Sequence, residues 1–341
     1  MPRTAPGRAH IPLRRPGRFP DSERMTLTVR PAALDDVAGL CELLNAVDLA
    51  EIGRPETDPH TVESDLRRPG VDLARDSWVG VDGDGRFVAY GLLWDVAGGE
   101  RIDVDLYTLP DEDAAGRRLL ELMEDRAARK AAENGVPSAV VHLYLNSSPT
   151  LDTTLLDARG WRVIRRFNVL TRPLSAAGDP LPVPDPVTGV TLRECRTDAD
   201  RRRVHELLDA AFADHFEYHP RPYDEWLAGL GSDRTDWSLV WIASLAGLGD
   251  AGVLMARNDD TSMGWIRHLG VLEAARGRGI GSHLLRHAFG AFAARGRDTV
   301  GLGVDTQNTS EALRLYLRHG MTLHYAVHTW QVELPVRTTA R

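Results

Sequence analysis

Two stretches of this chain begin alike and end alike, roughly 160 residues apart, and that recurrence constrains the fold more than any other feature. Leu27-Thr28-Val29-Arg30 opens the first stretch and Val190-Thr191-Leu192-Arg193 opens the second. Each opening run leads through a polar, Asp-rich turn into an amphipathic pattern, Asp35 to Ala46 in one and Asp198 to Phe212 in the other, which predicts a helix in both places. The closing runs, RGWRVIRRFNVLTRPL from Arg159 and RHGMTLHYAVHTWQVEL from Arg318, read as helix end, glycine cap and alternating strand. A repeat of that length is one whole α/β domain, so the pattern predicts two domains in tandem.

Between them Ser175 to Val187 carries Pro180, Pro182, Pro184 and Pro186 at alternate positions. Such a run cannot be helical and favours an extended connector. The predicted organisation is a disordered basic tail over 1–25, a first domain over 26–174, a Pro-rich linker over 175–187 and a second domain over 188–334. The tail carries six arginines among its first 24 residues and lacks the apolar core of a signal peptide. Within the second domain the pattern predicts strands at 239–245, 251–257 and 263–271, a glycine-rich turn, a helix at 281–295, a strand at 299–305, a helix at 309–318 and a strand at 322–333. The fold class expected is α/β, a mixed α+β sheet with helices on its faces.

The net charge of −8 argues against a nucleic-acid partner, because neutralising phosphates needs a basic surface. No apolar run approaches the roughly 20 residues of a membrane span. Cys41 and Cys195 are too few for a disulfide framework or a clustered metal site, so no metal is expected and the cytoplasm is the expected compartment.

The chemistry concentrates in Gly264 to Gly281, GWIRHLGVLEAARGRGIG, where an apolar strand enters a turn and opens a helix with Leu284, Leu285, Ala288, Phe289 and Phe292 at helical spacing. Gly277, Gly279 and Gly281 leave backbone N–H groups bare at a helix amino end, an arrangement suited to a phosphate or pyrophosphate. A glycine-rich loop without a ligand is the bland alternative. A Rossmann site is disfavoured, since the third glycine of its fingerprint falls on Ser282. Downstream, Asn308 leaves a strand and Tyr316 follows eight residues later, within a helix ending at Gly320; Tyr316 equally suits a buried helix aromatic.

Taken together, Leu269-Gly270-Val271, the R-x-x-G-x-G of Arg276 to Gly281, and Asn308, Tyr316 and Gly320-Met321 resemble the motifs of the GNAT acetyltransferases. The tandem arrangement resembles the two-domain members of the mycothiol synthase type. The resemblance implies acetyl-CoA as cofactor, with its pyrophosphate on the amides of Arg276, Gly277, Arg278, Gly279, Ile280, Gly281 and Ser282. It further implies a pantetheine arm paired along Leu269, Gly270 and Val271, with Asn308 hydrogen-bonding that arm. Tyr316 would return a proton to the departing thiol, and an N–H near Leu269 would hold the thioester oxygen.

Arg267 and His268 stand where relatives often carry an acidic residue or glutamine facing the acceptor. His268 is a candidate base, although strand alternation equally permits it to point away. Asp214 to His219 forms either an acceptor wall or a solvated loop. In the first half the glycine turn gives way to Asp111, Glu112 and Asp113, which would repel a pyrophosphate; Leu156 and Ser148 stand in the positions of Tyr316 and Asn308. The expectation is therefore direct transfer from acetyl-CoA to a primary amine of a small molecule in the second half, with no nucleic-acid or membrane partner. A non-catalytic acyl-CoA sensor and an enzyme acting on a protein amine are the alternatives.

Overall fold

The computed structural model describes residues 27–174, 187–213, 215, 218–230, 235–258, 263–307 and 312–336. The first half contributes β1 (Thr28–Arg30), α1 (Val37–Ile52), α2 (Pro59–Leu66), α3 (Leu73–Asp76), β2 (Ser77–Val81), β3 (Phe87–Asp95), β4 (Arg101–Thr108), α4 (Asp113–Glu133), β5 (Ser138–Asn146), α5 (Thr154–Ala158) and β6 (Arg162–Pro173). The second contributes β7 (Val190–Glu194), α6 (Asp198–Phe212), α7 (Tyr223–Leu230), β8 (Val240–Leu245), β9 (Gly249–Asn258), β10 (Met263–Val271), α8 (Ile280–Ala294), β11 (Thr299–Asp305), α9 (Ala312–Arg318) and β12 (Thr322–Pro335).

Several predicted boundaries coincide with the observed ones. The helix expected over 198–212 is α6, started by a capping box in which Thr197 accepts from the Asp200 N–H and Asp200 accepts from the Thr197 N–H. The helix expected over 35–46 begins with a short 3-10 turn, runs on to Ile52 and stops at Gly53. The 1–25 tail and the prolines of the linker lie outside the described residues.

The described strands form one twelve-stranded mixed sheet in the order β1-β2-β3-β4-β5-β12-β6-β11-β10-β9-β8-β7. The closing strands are exchanged. β12, the last strand of the second half, pairs antiparallel with β5 of the first, from Val327↔Asn146 to Pro335↔Ser138. β6, the last strand of the first half, pairs antiparallel with β11 of the second, from Thr299↔Pro173 to Asp305↔Phe167. The two exchanged strands also pair with each other. Their side chains follow them: Trp330 and Val332 pack into the first half's core, whereas Leu170 and Leu174 pack into the second's. Apolar burial therefore fastens each half to the other, beyond the hydrogen bonds between strands.

Each half of the sheet is covered on both faces. In the first, α4 packs over Val88, Leu93, Val104 and Val141, while α1 and α2 cover Val79, Tyr90 and Leu92. In the second, α8 lies on one face with Leu284, Leu285, Ala288, Phe289 and Phe292 all buried, as their spacing predicts. The opposite face carries α6 and α7 through Val204, Leu207, Leu208 and Trp226. α8 can sit this close because Gly264 has no side chain: a Cβ there would lie 2.3 Å from the Phe292 ring. No helix among the described residues is long and apolar enough to cross a membrane.

Candidate active site

The site begins where β10 parts from β11. The two strands pair in parallel from Met263↔Thr299 only as far as Ile266↔Leu302. On its other side β10 keeps pairing with β9, from His268↔Met255 to Val271↔Gly252, after an irregularity at Arg267. A bulge adds a residue to one strand and sharpens its twist, which swings the end of β10 away from its parallel neighbour. Among the described residues, 268–271 are thereby left with no strand on the β11 side. Such an edge can accept an extended chain of amide groups as an added strand.

Beyond Val271 a short turn over Glu273–Ala275, anchored by the buried Ala275, leads to Arg276, whose Nε donates to the Val271 carbonyl at 3.2 Å. Gly277 (φ 75°) and Gly279 (φ 80°) both adopt left-handed backbone, and Gly279 caps α8 without any side-chain acceptor. No acidic residue occupies the first turn of α8. Its amino end thus combines bare N–H groups with the positive end of the helix dipole. Ser282, in that first turn, shares a 3.0 Å hydrogen bond with Nε2 of His319 beyond α9. At Gly281 an added Cβ would come within 3.2 Å of Leu315 of α9 and 3.8 Å of Val271, so this glycine preserves the cradle between helix and strand.

Gly270 brings α6 onto β10, since a Cβ there would lie 2.8 Å from Ala211 and 3.1 Å from Phe212. His268, two residues earlier on the same face, meets the Phe212 ring edge-on at 5.7 Å. It therefore faces α6, and its buried Nδ1 has no hydrogen-bond partner among the described residues. Burial, aided by Arg267 and His215, pulls its pKa down to about 4. At neutral pH the ring is uncharged and takes up a proton only weakly. His215 packs against Phe212 at 4.4 Å, and Tyr218 donates to Asp209. Asp214, Phe216 and Glu217 of the same expected wall lie outside the described residues.

Tyr316 is buried in α9 among the side chains that also hold α8. Burial pushes its pKa up to about 12, so it keeps its proton at neutral pH. Asn308 lies outside the described residues. The residues before it are held from the first half: Arg165 of β6 binds Asp305 at 2.7 Å and donates to Gln307 at 2.8 Å. This contribution was invisible in the repeat pattern, because it depends on the strand exchange.

The corresponding place in the first half differs. β4 also leaves β5 after Val104↔Leu143, but β3 and β4 pair without irregularity. The opening is bridged by the loop after β5, where Thr150 Oγ1 donates to the Thr108 carbonyl at 2.7 Å and the Thr150 N–H donates to Glu51 at 2.7 Å. Leu151 is buried against Gly116 near the start of α4. The turn into α4 carries Asp111 in left-handed backbone (φ 66°), Glu112 at the cap and Asp113 in the first turn. Among the described residues no group of three or more His, Cys, Asp or Glu side chains is placed to hold a metal ion.

The chain is similar to known proteins over most of its length. The model of the acetyltransferase (GNAT) domain matches residues 236–321. The mycothiol acetyltransferase of Salinispora arenicola is 30% identical over 313 residues, 88% of this chain and 94% of that protein. Among solved structures, a GCN5-related N-acetyltransferase from Sphaerobacter thermophilus superimposes with a TM-score of 0.78 at 25% identity, covering 91% of this chain and 96% of the other. A tandem GNAT protein from the clavulanic acid biosynthesis pathway shares the fold, with a TM-score of 0.68 at 19% identity over 90% of this chain and 98% of its own.

Proposed function

Because the chain belongs to the GNAT acetyltransferase family, in the tandem form of its mycothiol acetyltransferase relatives, we propose that its second half moves an acetyl group from acetyl-CoA to a primary amine of a small molecule. The observation that carries this reading is the parting of β10 from β11 directly before a bare helix amino end. The free edge at Leu269 to Val271 suits the amide-bearing arm, and the amides from Arg276 to Ser282 suit the pyrophosphate. Acetyl-CoA would supply the activated thioester; the chain would supply alignment and proton traffic.

An N–H of the free β10 edge near Leu269 is placed to polarise the thioester carbonyl. Tyr316, protonated at neutral pH, can donate to the leaving thiolate, and Asn308 is assigned to the arm. His268 faces the α6 side, from which an acceptor would approach, and at neutral pH it offers an uncharged hydrogen-bond acceptor. On this reading direct transfer needs no covalent enzyme intermediate, and 188–334 is the catalytic domain. The 26–174 domain has lost transfer: its opening is bridged by Thr150 and its helix amino end is lined by carboxylates. The chain's compartment on this reading is the cytoplasm.

Calorimetric titration with acetyl-CoA, on the wild type and Gly281→Trp, followed by thiol-release assays with a panel of small amines, tests the proposal. One equivalent bound per chain, lost in the variant and consumed with an amine, is the expected result. Binding without thiol release from any amine would replace transfer by sensing. No binding would remove the proposal altogether.

A further inference from the structure

We propose that the first half carries a second small-molecule site, which binds an organic ammonium ion at Asp105, on the sheet face just beyond the point where β4 leaves β5. Asp105 is the first residue of β4 beyond the last β5 pair, Val104↔Leu143. It shares a sheet face with Tyr107 and, through the register Tyr90↔Tyr107 and Leu92↔Asp105, with Tyr90 of β3. That face looks towards α1 and α2.

The Asp105 carboxylate forms no hydrogen bond or ion pair among the described residues, although it is only partly reached by solvent. Its acidic neighbours are provided for. Asp65 of α2 is held by Arg68 at 2.6 Å, and Asp103 of β4 by Arg101 at 2.9 Å. Arg68, the cation acting on Asp105, is tied to Asp65 and lies over the Trp94 ring at 4.0 Å. Asp48 of α1 accepts from the Glu56 N–H and the Thr57 hydroxyl. Asp105 alone of this group lacks a donor.

A second and independent observation is the hydroxyl of Tyr90. The residue is 3% exposed, its oxygen has no hydrogen-bond partner among the described residues, and it lies within the fields of Asp105 and Asp65. The Tyr90 and Tyr107 rings lie nearly parallel, 8° apart, with centroids 6.4 Å apart. A buried hydroxyl without a partner is costly, and an unpaired carboxylate on the same sheet face gives a ligand two groups to satisfy.

A primary ammonium matches what is missing. It donates to the Asp105 carboxylate and to the Tyr90 oxygen, and its charge is favoured by the face of a tyrosine ring. Burial and the neighbouring carboxylates raise the Asp105 pKa to about 7, so a bound cation would drive off the proton that the empty site retains. Because Thr150 and Leu151 close the opening towards α4, the site binds an amine without acylating it. An acylated amine, being neutral, would be excluded. This inference stands whether or not the second half transfers acetyl groups.

The test is calorimetric titration of the full chain with methylammonium and cadaverine, with pentanediol as uncharged control, in the wild type, Asp105→Asn and Tyr90→Phe. Amine binding is expected with proton release near pH 7, weakened about tenfold or more in Asp105→Asn and less in Tyr90→Phe, while acetyl-CoA titrations stay unchanged. Amine isotherms that are the same in wild type and both variants, or no amine binding to the wild type, would overturn it. Circular dichroism of each variant separates lost binding from lost folding.

Discussion

Replacing Asp105 by asparagine removes a half-buried carboxylate that forms no ion pair among the described residues, and the stability of the fold should report it. The pKa of Asp105 rises from its ordinary 3.8 to about 7 in the folded chain, through burial first and the charge of Asp65 second. At ~1.4 kcal/mol per pH unit that interval caps the penalty of the ionised form at ~4 kcal/mol, and access to solvent on one side reduces it to about 2 kcal/mol. The sign follows from linkage. Below about pH 4 both folded and unfolded chains hold the proton and there is no penalty. Between about pH 4 and pH 7 the folded chain retains a proton that the unfolded chain has released, so stability falls as pH rises; above pH 7 the full penalty applies. Asp105→Asn should therefore melt close to wild type near pH 4.5 and a few degrees higher near pH 8, in buffers of matched ionic strength followed by near-ultraviolet circular dichroism. A gap that does not widen with pH, or a variant less stable than wild type at pH 8, would refute the reasoning. Stability gained by removing a single carboxylate is consistent with a group retained for binding, which the amine titrations test directly.

Tyr316→Phe should lower turnover at least tenfold in the thiol-release assay while leaving acetyl-CoA affinity within about twofold, because the hydroxyl acts only as the thiol departs; equal turnover would remove Tyr316 from that role. Gly264→Val should destabilise the fold by about 3 kcal/mol, read as a lower urea midpoint, since its Cβ would sit 2.3 Å from the Phe292 ring. Cutting the backbone at a protease site engineered within 175–186 should leave two fragments that co-elute in native size-exclusion chromatography, because β6 and β12 are each built into the opposite half. Fragments that separate without denaturant would contradict the exchange.

The sequence alone determined the elements around the glycine turn and the chemistry held within that one local stretch. A strand, a turn with Gly277 and Gly279, and an amphipathic helix are specified by residues close along the chain, so α8 and the bare amides at its amino end were legible from the order of residues. The same holds for α6, whose Thr197 and Asp200 mark its start, and for the acidic turn from Asp111 to Asp113. The repeat revealed two similar halves, but not which half each closing strand joins. Both β6 and β12 present alternating apolar faces that suit either core, and only the assembled sheet places Trp330 with one core and Leu170 with the other. The bulge at Arg267 was equally hidden, because it is a mismatch in register between β9 and β10 and has no residue signature of its own. That bulge turns His268 towards α6, a choice that strand alternation alone left open. Arg165 reaching Asp305 and the unpaired Asp105 beside Tyr90 are likewise decided by tertiary packing, since what a charge meets in a fold depends on the elements that surround it.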